Sequence, residues 1–231
     1  MKVTYIHHSS FLVETENELL IFDYYEGGIP ELPEGKPLYV FASHRHPDHF
    51  SKVIFEKFGS RPGTTFVISS DIWRKRIPEE LRDQTVFLKP GMKEQIGEIQ
   101  VETLKSTDEG VAFWCTASGH EIYHAGDLNH WYWEEETAEW NRKMTEAYRS
   151  EIRKLAGRKA DLAMIPADPR LGKWFYLGID DFMKEADAAY IFPMHFWEQY
   201  DICGKLKEQE CAERYRDRIM EIEAKGQRFD I

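Results

Sequence analysis

Ser43-His44-Arg45-His46-Pro47-Asp48-His49-Phe50 places four potential metal ligands in the six residues from His44 to His49. Few structural demands assemble such a run. Three imidazoles and a carboxylate this close crowd and desolvate one another unless something binds them. A divalent cation does so, since neutral imidazole and carboxylate suit zinc, manganese and iron. The run follows Leu38-Tyr39-Val40-Phe41-Ala42, a short apolar stretch that reads as a buried strand. The ligands therefore open a loop at a strand's C-terminal end, where α/β proteins build their sites. His44 and His46, two apart, project to one side of an extended segment. Pro47 then turns the chain, so that Asp48 and His49 address a second cation or a second edge of the same one.

Outward from this loop, the N-terminal third alternates short strands and turns, with strands expected over 3–6, 11–14, 19–22 and 38–42. Further strands are expected at 65–69, 85–88, 99–104, 111–116 and 121–124, with short helical turns over 51–58 and 71–76. In the second half, Trp140, Met144, Tyr148, Ile152 and Leu155 recur at helical spacing and predict a core-facing stripe. Strands follow at 161–165 and 189–192. Asp180 or Asp181 is expected to cap a helix running to Ala186, and 206–225 reads as a final charged amphipathic helix. No internal repeat or low-complexity linker interrupts the chain, and a single domain over 1–231 is expected.

The 231 residues suffice for a substantial core, with Trp 7, Tyr 11 and Phe 14. A net charge of -11 argues against a nucleic-acid partner, whose phosphates need a basic footprint. Cys115, Cys203 and Cys211 make no disulfide framework and suit a reducing compartment. No long apolar segment suggests a signal peptide or membrane span, so a cytoplasmic location is expected.

His44-Arg45-His46-Pro47-Asp48-His49 resembles the His-x-His-x-Asp-His signature of the metallo-β-lactamase superfamily. Other pieces fall in the family's order. Asp23 in Leu19-Leu20-Ile21-Phe22-Asp23 resembles the early strand-end aspartate. His124-Ala125-Gly126-Asp127 is similar to the late Gly-Asp that supplies a bridging carboxylate. Pro193-Met194-His195 is similar to the segment carrying the C-terminal histidine. The opening Tyr5-Ile6-His7-His8-Ser9-Ser10 resembles the branch that contains ascorbate-6-phosphate lactonase. The resemblance covers residues 1 to about 200. It departs at one point: the superfamily usually has another histidine before the Gly-Asp, and here Ser106 or Thr107 stands at that position, with Asp108 beside it as a carboxylate that would compensate. His120 lies in Ala117-Ser118-Gly119-His120, a hairpin turn away from the strand ends, and is not a ligand on this reading.

The resemblance implies an α/β fold, the four-layer αββα sandwich, with metal at one sheet edge. It implies His44, His46, Asp48, His49, Asp127 and His195 as ligands to one or two divalent cations, zinc first, with manganese or iron as alternatives. Asp48 is expected to orient the attacking water as well as bind metal. His8 either lines the pocket and donates to substrate or satisfies loop backbone. Asp23 is expected to hold a ligand histidine's other ring nitrogen or the loop backbone. His124 is expected to pack beneath the site. His130, in an aromatic loop, has either a packing role or a reach to substrate. Arg170 is a candidate for an anionic group on a small-molecule substrate. The expected activity is metal-dependent hydrolysis of an ester, lactone or phosphodiester. A nuclease and a catalytically degenerate metal-binding or sensing domain are the alternatives.

Overall fold

A computed structural model describes residues 1–231. In chain order the strands are β1 (Lys2–His7), β2 (Ser10–Glu14), β3 (Leu19–Phe22), β4 (Leu38–Ala42), β5 (Thr64–Ser69), β6 (Thr85–Leu88), β7 (Lys93–Ile96), β8 (Ile99–Lys105), β9 (Val111–Ala117), β10 (His120–His124), β11 (Lys159–Pro166), β12 (Asp187–Met194) and β13 (Arg228–Asp230). The helices are α1 (Val53–Phe58), α2 (Ala138–Ile152), α3 (Leu177–Glu185) and α4 (Ile202–Lys207). Two mixed sheets result, ordered β13-β1-β2-β3-β4-β5-β6 and β12-β11-β10-β9-β8-β7.

Side-chain alternation explains why the sheets stack. In β2 to β5, residues of one parity (Phe11, Val13, Leu20, Phe22, Tyr39, Phe41, Val67) join the large core between the sheets. Those of the other parity (Leu12, Leu19, Ile21, Leu38, Val40, Phe66, Ile68) join a second cluster with Ile54, Phe55 and Phe58 of α1. Successive strand residues face opposite sides. A strand apolar at both parities must therefore be covered twice, here by a helix and by the other sheet. Phe22 stacks on Phe41 at 4.6 Å, and Phe41 meets Phe113 of the second sheet edge-on at 5.1 Å. Helices α2 and α3 cover the far face of the second sheet, where Tyr148, Ile152, Ile179 and Phe182 are buried. The layers are therefore helix, sheet, sheet, helix, the αββα sandwich.

Strand directions bring the functional loops to one edge. β3 to β6 run parallel, and β1 shares their direction because it pairs antiparallel with β2, which pairs antiparallel with β3. By the same logic β8, β10, β11 and β12 point one way. His8, Asp23, the His44–His49 loop, Asp108, Asp127, Asp168 and His195 all follow the C-terminal ends of these strands.

Two expectations need correction. Residues 206–225 do not form one helix: α4 stops at Lys207, and 3-10 turns follow at Glu210–Arg214 and Arg216–Arg218. The Met220 amide donates to Ile191 O (2.8 Å), so this segment covers the edge of β12 instead of coiling over it. Asp180 and Asp181 lie inside α3, not at its cap. Thr137 is instead the residue that caps a helix, α2, by accepting from the Trp140 amide. The stripe expected from Trp140 to Leu155 faces the core: Tyr148, Ile152 and, just past α2, Leu155 are buried, while Trp140 and Met144 pack against the core partly buried and also line a cavity. No helix is long and apolar enough to cross a membrane.

Candidate metal centre

Asp23, just past β3, organises the His-rich loop from beneath. Its carboxylate, fully buried, accepts from the Ser43 amide (2.7 Å), the Ser43 hydroxyl (2.6 Å) and the Nδ1–H of His49 (2.7 Å). Burial raises its pKa, but the nearby charges of His49 and His124 and the hydrogen bond from His49 prevail, and the carboxyl is held below its ordinary value. Ser43 gives its hydroxyl proton to Asp23, so its oxygen is left to accept from His44 Nδ1 (3.0 Å). Beyond β12, His195 donates its Nδ1–H to Asp168 Oδ2 (2.9 Å).

These anchors fix three tautomers. In His44, His49 and His195 the proton sits on Nδ1, which leaves the lone pair on Nε2; that of His44 also lies 3.0 Å from His46 Nδ1. All three Nε2 atoms face the Asp127 carboxylate. His49 and His195 stand 3.2 and 3.4 Å from Oδ1, and His44 stands 3.4 Å from Oδ2. Burial, with the neighbouring His49, lowers the His44 pKa to about 4, so its lone pair is available at neutral pH. Asp127 reaches this position through Gly126, at φ +51°. A Cβ on Gly126 would lie 2.7 Å from that of Ser43, so only glycine lets the two loops meet.

The donor atoms fall into two groups, each within 4.8 Å: His8, Asp48, His49 and His195, and His44, His46, Asp108 and Asp127. All six residues expected as ligands are therefore brought together. Asp108 joins them, with its Oδ2 3.3 Å from His46 Nδ1. Of the alternatives at that position, Thr107 is engaged elsewhere, donating to Asn129 O at 2.7 Å, and Ser106 accepts from the Asp108 amide at 3.1 Å. His120 lies at the start of β10, paired at 3.6 Å with Asp161.

His8 enters the first group but with the opposite tautomer. Its Nδ1 accepts from the Trp197 amide (3.3 Å), which places the proton on Nε2, 3.4 Å from Asp48 Oδ2. His8 is thus set to donate. Burial pushes its pKa down to about 4. The Asp48 carboxyl, despite burial, is held well below its usual range by the His8 hydrogen bond and the His49 charge. Backbone strain concentrates here: His8, Asp23, His195 and Trp197 are four of the five non-glycine residues at positive φ.

A cation fits this arrangement on the structure's own terms. His49 Nε2 and Asp127 Oδ1 are buried atoms with no hydrogen-bond partner, which is costly in a protein interior. Lone pairs of imidazole and carboxylate aimed at one space cannot satisfy one another; a divalent cation satisfies them together. Burial lowers the His195 pKa, but Asp127 and the hydrogen bond to Asp168 prevail and raise it.

Two other residues are placed elsewhere than at the centre. His130 is buried with both ring nitrogens engaged, at 2.9 Å from Asp181 Oδ2 and 2.7 Å from Thr145 Oγ1. It supports the loop and does not reach the cavity. His124 donates Nε2–H to Ser9 O (2.9 Å) and stacks on Phe22 beneath the centre. The partner role of Asp168 was not read from the sequence. Its signal was positional: β11 and β12 pair in register to Pro166 and Met194, so residues 168 and 195 emerge side by side.

A family model described as a β-lactamase superfamily domain matches residues 2–143. A UPF0173 metal-dependent hydrolase of Carboxydothermus hydrogenoformans is 25% identical over 217 residues, covering 85% of this chain and 84% of that protein. The chain spans only about a quarter of the length of two other curated relatives of that name. Among solved structures, Igni18, a metallo hydrolase from Ignicoccus hospitalis, superposes with a TM-score of 0.62 at 17% identity, over 100% of this chain and 98% of that one. The metallo-β-lactamase fold protein YhfI from Bacillus subtilis gives 0.62 at 18% identity, over 99% of each chain. These structural likenesses are of fold. With the model match extending over more than half of the sequence and through both the His-rich loop and Gly126-Asp127, the chain belongs to the metallo-β-lactamase superfamily.

Proposed function

We propose that the protein is a metal-dependent hydrolase of an ester, lactone or phosphodiester bond. The observation that carries this reading is the convergence of the His44, His49 and His195 Nε2 lone pairs on the two oxygens of Asp127. One cation would be held by Asp48, His49 and His195 with Asp127 Oδ1, and a second by His44, His46 and Asp108 with Asp127 Oδ2. When bound, such cations supply Lewis acidity, making water nucleophilic near neutral pH and polarising the substrate oxygen. Zinc suits this nitrogen-rich set, and manganese or iron would also be accepted.

The chain's own groups divide the remaining work. Asp48, ionised and facing the cavity, accepts a hydrogen bond from the attacking water and then its proton. It returns that proton to the leaving oxygen, so that one water is consumed and an acid and an alcohol are released. His8 Nε2–H steadies Asp48 or donates to a substrate oxygen. Asp23 and Asp168 keep His49 and His195 in the tautomer that leaves Nε2 free. The names of the curated relatives support this reading.

The test is turnover of p-nitrophenyl acetate, a γ-lactone and bis-p-nitrophenyl phosphate by protein of measured metal content. Hydrolysis of at least one, lost with chelator and restored by zinc or manganese, is expected. Absence of turnover in metal-replete protein across all three would overturn the proposal in favour of a binding or sensing role.

A further inference from the structure

A cavity of about 320 Å³ opens over the centre. That lies at the small end of the range for small-molecule sites, roughly 300–1,000 Å³, and is too small for a folded or polymeric substrate to be engulfed. One wall is formed by the carboxylates and imidazoles already described. The opposite wall has a different chemistry: Trp131, Trp133, Trp140, Met144 and a single cation, Arg170.

This wall is built rather than incidental. Trp131 is buried, and its Nε1–H donates to Asp127 O (3.1 Å), which ties the ring to the centre. Trp133 is clamped through its backbone: its amide donates to Asn141 Oδ1 (3.0 Å) and its carbonyl accepts from Asn141 Nδ2 (2.7 Å). The two indole planes differ by only 8°, with centroids 6.3 Å apart. Rings so aligned give one preferred orientation to a planar group lying along them and no comparable fit to a puckered one.

Arg170 lies against the same wall, its guanidinium 5.8 Å from the Trp133 ring centroid. Its Nε and Nη2 are occupied by Asp168, the same carboxylate that holds His195. Nη1 makes no protein hydrogen bond and remains for a ligand. A guanidinium held by two of its nitrogens presents the third without further ordering, which favours an anionic acceptor.

We infer that the substrate is a small anionic molecule with a planar aromatic group, the ring lying along Trp131 and Trp133 and the anion meeting Arg170 Nη1. This rests on the hydrolase reading for what happens to the bond, but the binding geometry can be tested without turnover.

The test is calorimetric titration with 2-naphthalenesulfonate, cyclohexanesulfonate and the neutral 2-acetonaphthone, with metal-loaded and with chelator-treated protein. Sulfonate is a poor metal ligand, so its affinity reports the wall and not the centre. 2-Naphthalenesulfonate is expected to bind about tenfold more tightly than either comparison compound, in both metal states. Trp133→Leu should reduce its affinity about tenfold while changing that of cyclohexanesulfonate less than about twofold. Arg170→Gln should abolish its advantage over 2-acetonaphthone. If Trp133→Leu does not fold, Trp140→Leu on α2 serves, with a smaller loss of the same selectivity expected. Equal affinity for the planar and puckered sulfonates, no measurable binding of any of the three, or selectivity unchanged in the tryptophan variants would overturn the inference. Failure of the hydrolase reading is seen separately, as naphthalenesulfonate binding without any chelator-sensitive turnover.

Discussion

His49 gives its Nδ1 proton to Asp23 across 2.7 Å, and that single bond settles which face of the imidazole the centre receives. Asp23→Asn replaces one accepting oxygen with a donor and leaves His49 free to flip. We expect affinity for zinc to fall about 10–100-fold, as for other residues that orient metal-binding histidines. Competition against a chromophoric chelator measures this. Unchanged affinity would remove Asp23 from the support of the centre.

Release of cations should occur in two stages. In the first donor group His8, His49 and His195 are buried, whereas in the second His46 and Asp108 are both about 40% exposed. Solvent competes more readily for the exposed donors. Stepwise dialysis against a weak chelator should therefore remove one equivalent first, and the protein retaining the other should show metal-dependent spectral changes on cobalt substitution that His195→Ala abolishes. Simultaneous loss of two equivalents would contradict this asymmetry.

Asp48→Asn should separate chemistry from folding. The side chain is partly exposed, and its closest ion-pair contacts are His8 at 3.4 Å and His49 at 3.9 Å, so thermal stability should change by less than about 1 kcal/mol. Turnover should fall about 100-fold or more, the usual scale for a positioned proton acceptor. Rates and melting curves on the same metal-loaded preparation test the pair of claims. Normal activity would exclude Asp48 from proton transfer.

Acid stability should depend on a site remote from the metals. Asp181 is buried, which raises its pKa, but hydrogen bonds from His130 and Arg149 prevail and hold it at about 2 against an ordinary 3.8. A carboxyl depressed on folding contributes fully above its unfolded pKa and loses that contribution as pH falls through its folded value. Asp181 should therefore contribute about 1–2 kcal/mol above pH 4, lost between roughly pH 4 and 2. Urea unfolding of Asp181→Asn should be weaker than the parent at pH 6 and converge with it near pH 2. A constant difference across that interval would refute the assignment.

What the sequence disclosed depended on how local the signal was. His44 to His49 and the apolar strand before them are contiguous, and Gly126-Asp127 is a short turn at a strand end, so residue type and spacing sufficed. Asp168 and His195 meet across 27 residues because β11 and β12 pair in register, which no single segment reveals. The tautomer of His8 depends on the amide of Trp197, 189 residues away. The charged periodicity of 206–225 suggested a helix, yet Tyr215 and Ile219 are drawn into the core and Met220 bonds to the β12 edge, and that packing outweighs helix propensity. The Trp140 and Met144 positions had the right period for the core and pack against it, partly buried, while also lining the cavity over the centre, which spacing alone does not show.

His8 and the His44–His49 loop belong to the first sheet, while Asp108, Asp127 and His195 belong to the second. The donors are thus shared between the two leaves of the sandwich, which otherwise meet through apolar contacts such as Phe41 against Phe113 and a few hydrogen bonds such as His124 Nε2–H to Ser9 O. Apolar surfaces tolerate sliding; a coordination sphere does not. A cation seated there would work as a clasp, tying the leaves in one alignment and raising resistance to heat in proportion to the logarithm of its free concentration. Trimming Phe41 should then be felt at the clasp before it is felt in the fold, because a slip of half an ångström between leaves spoils every donor distance at once.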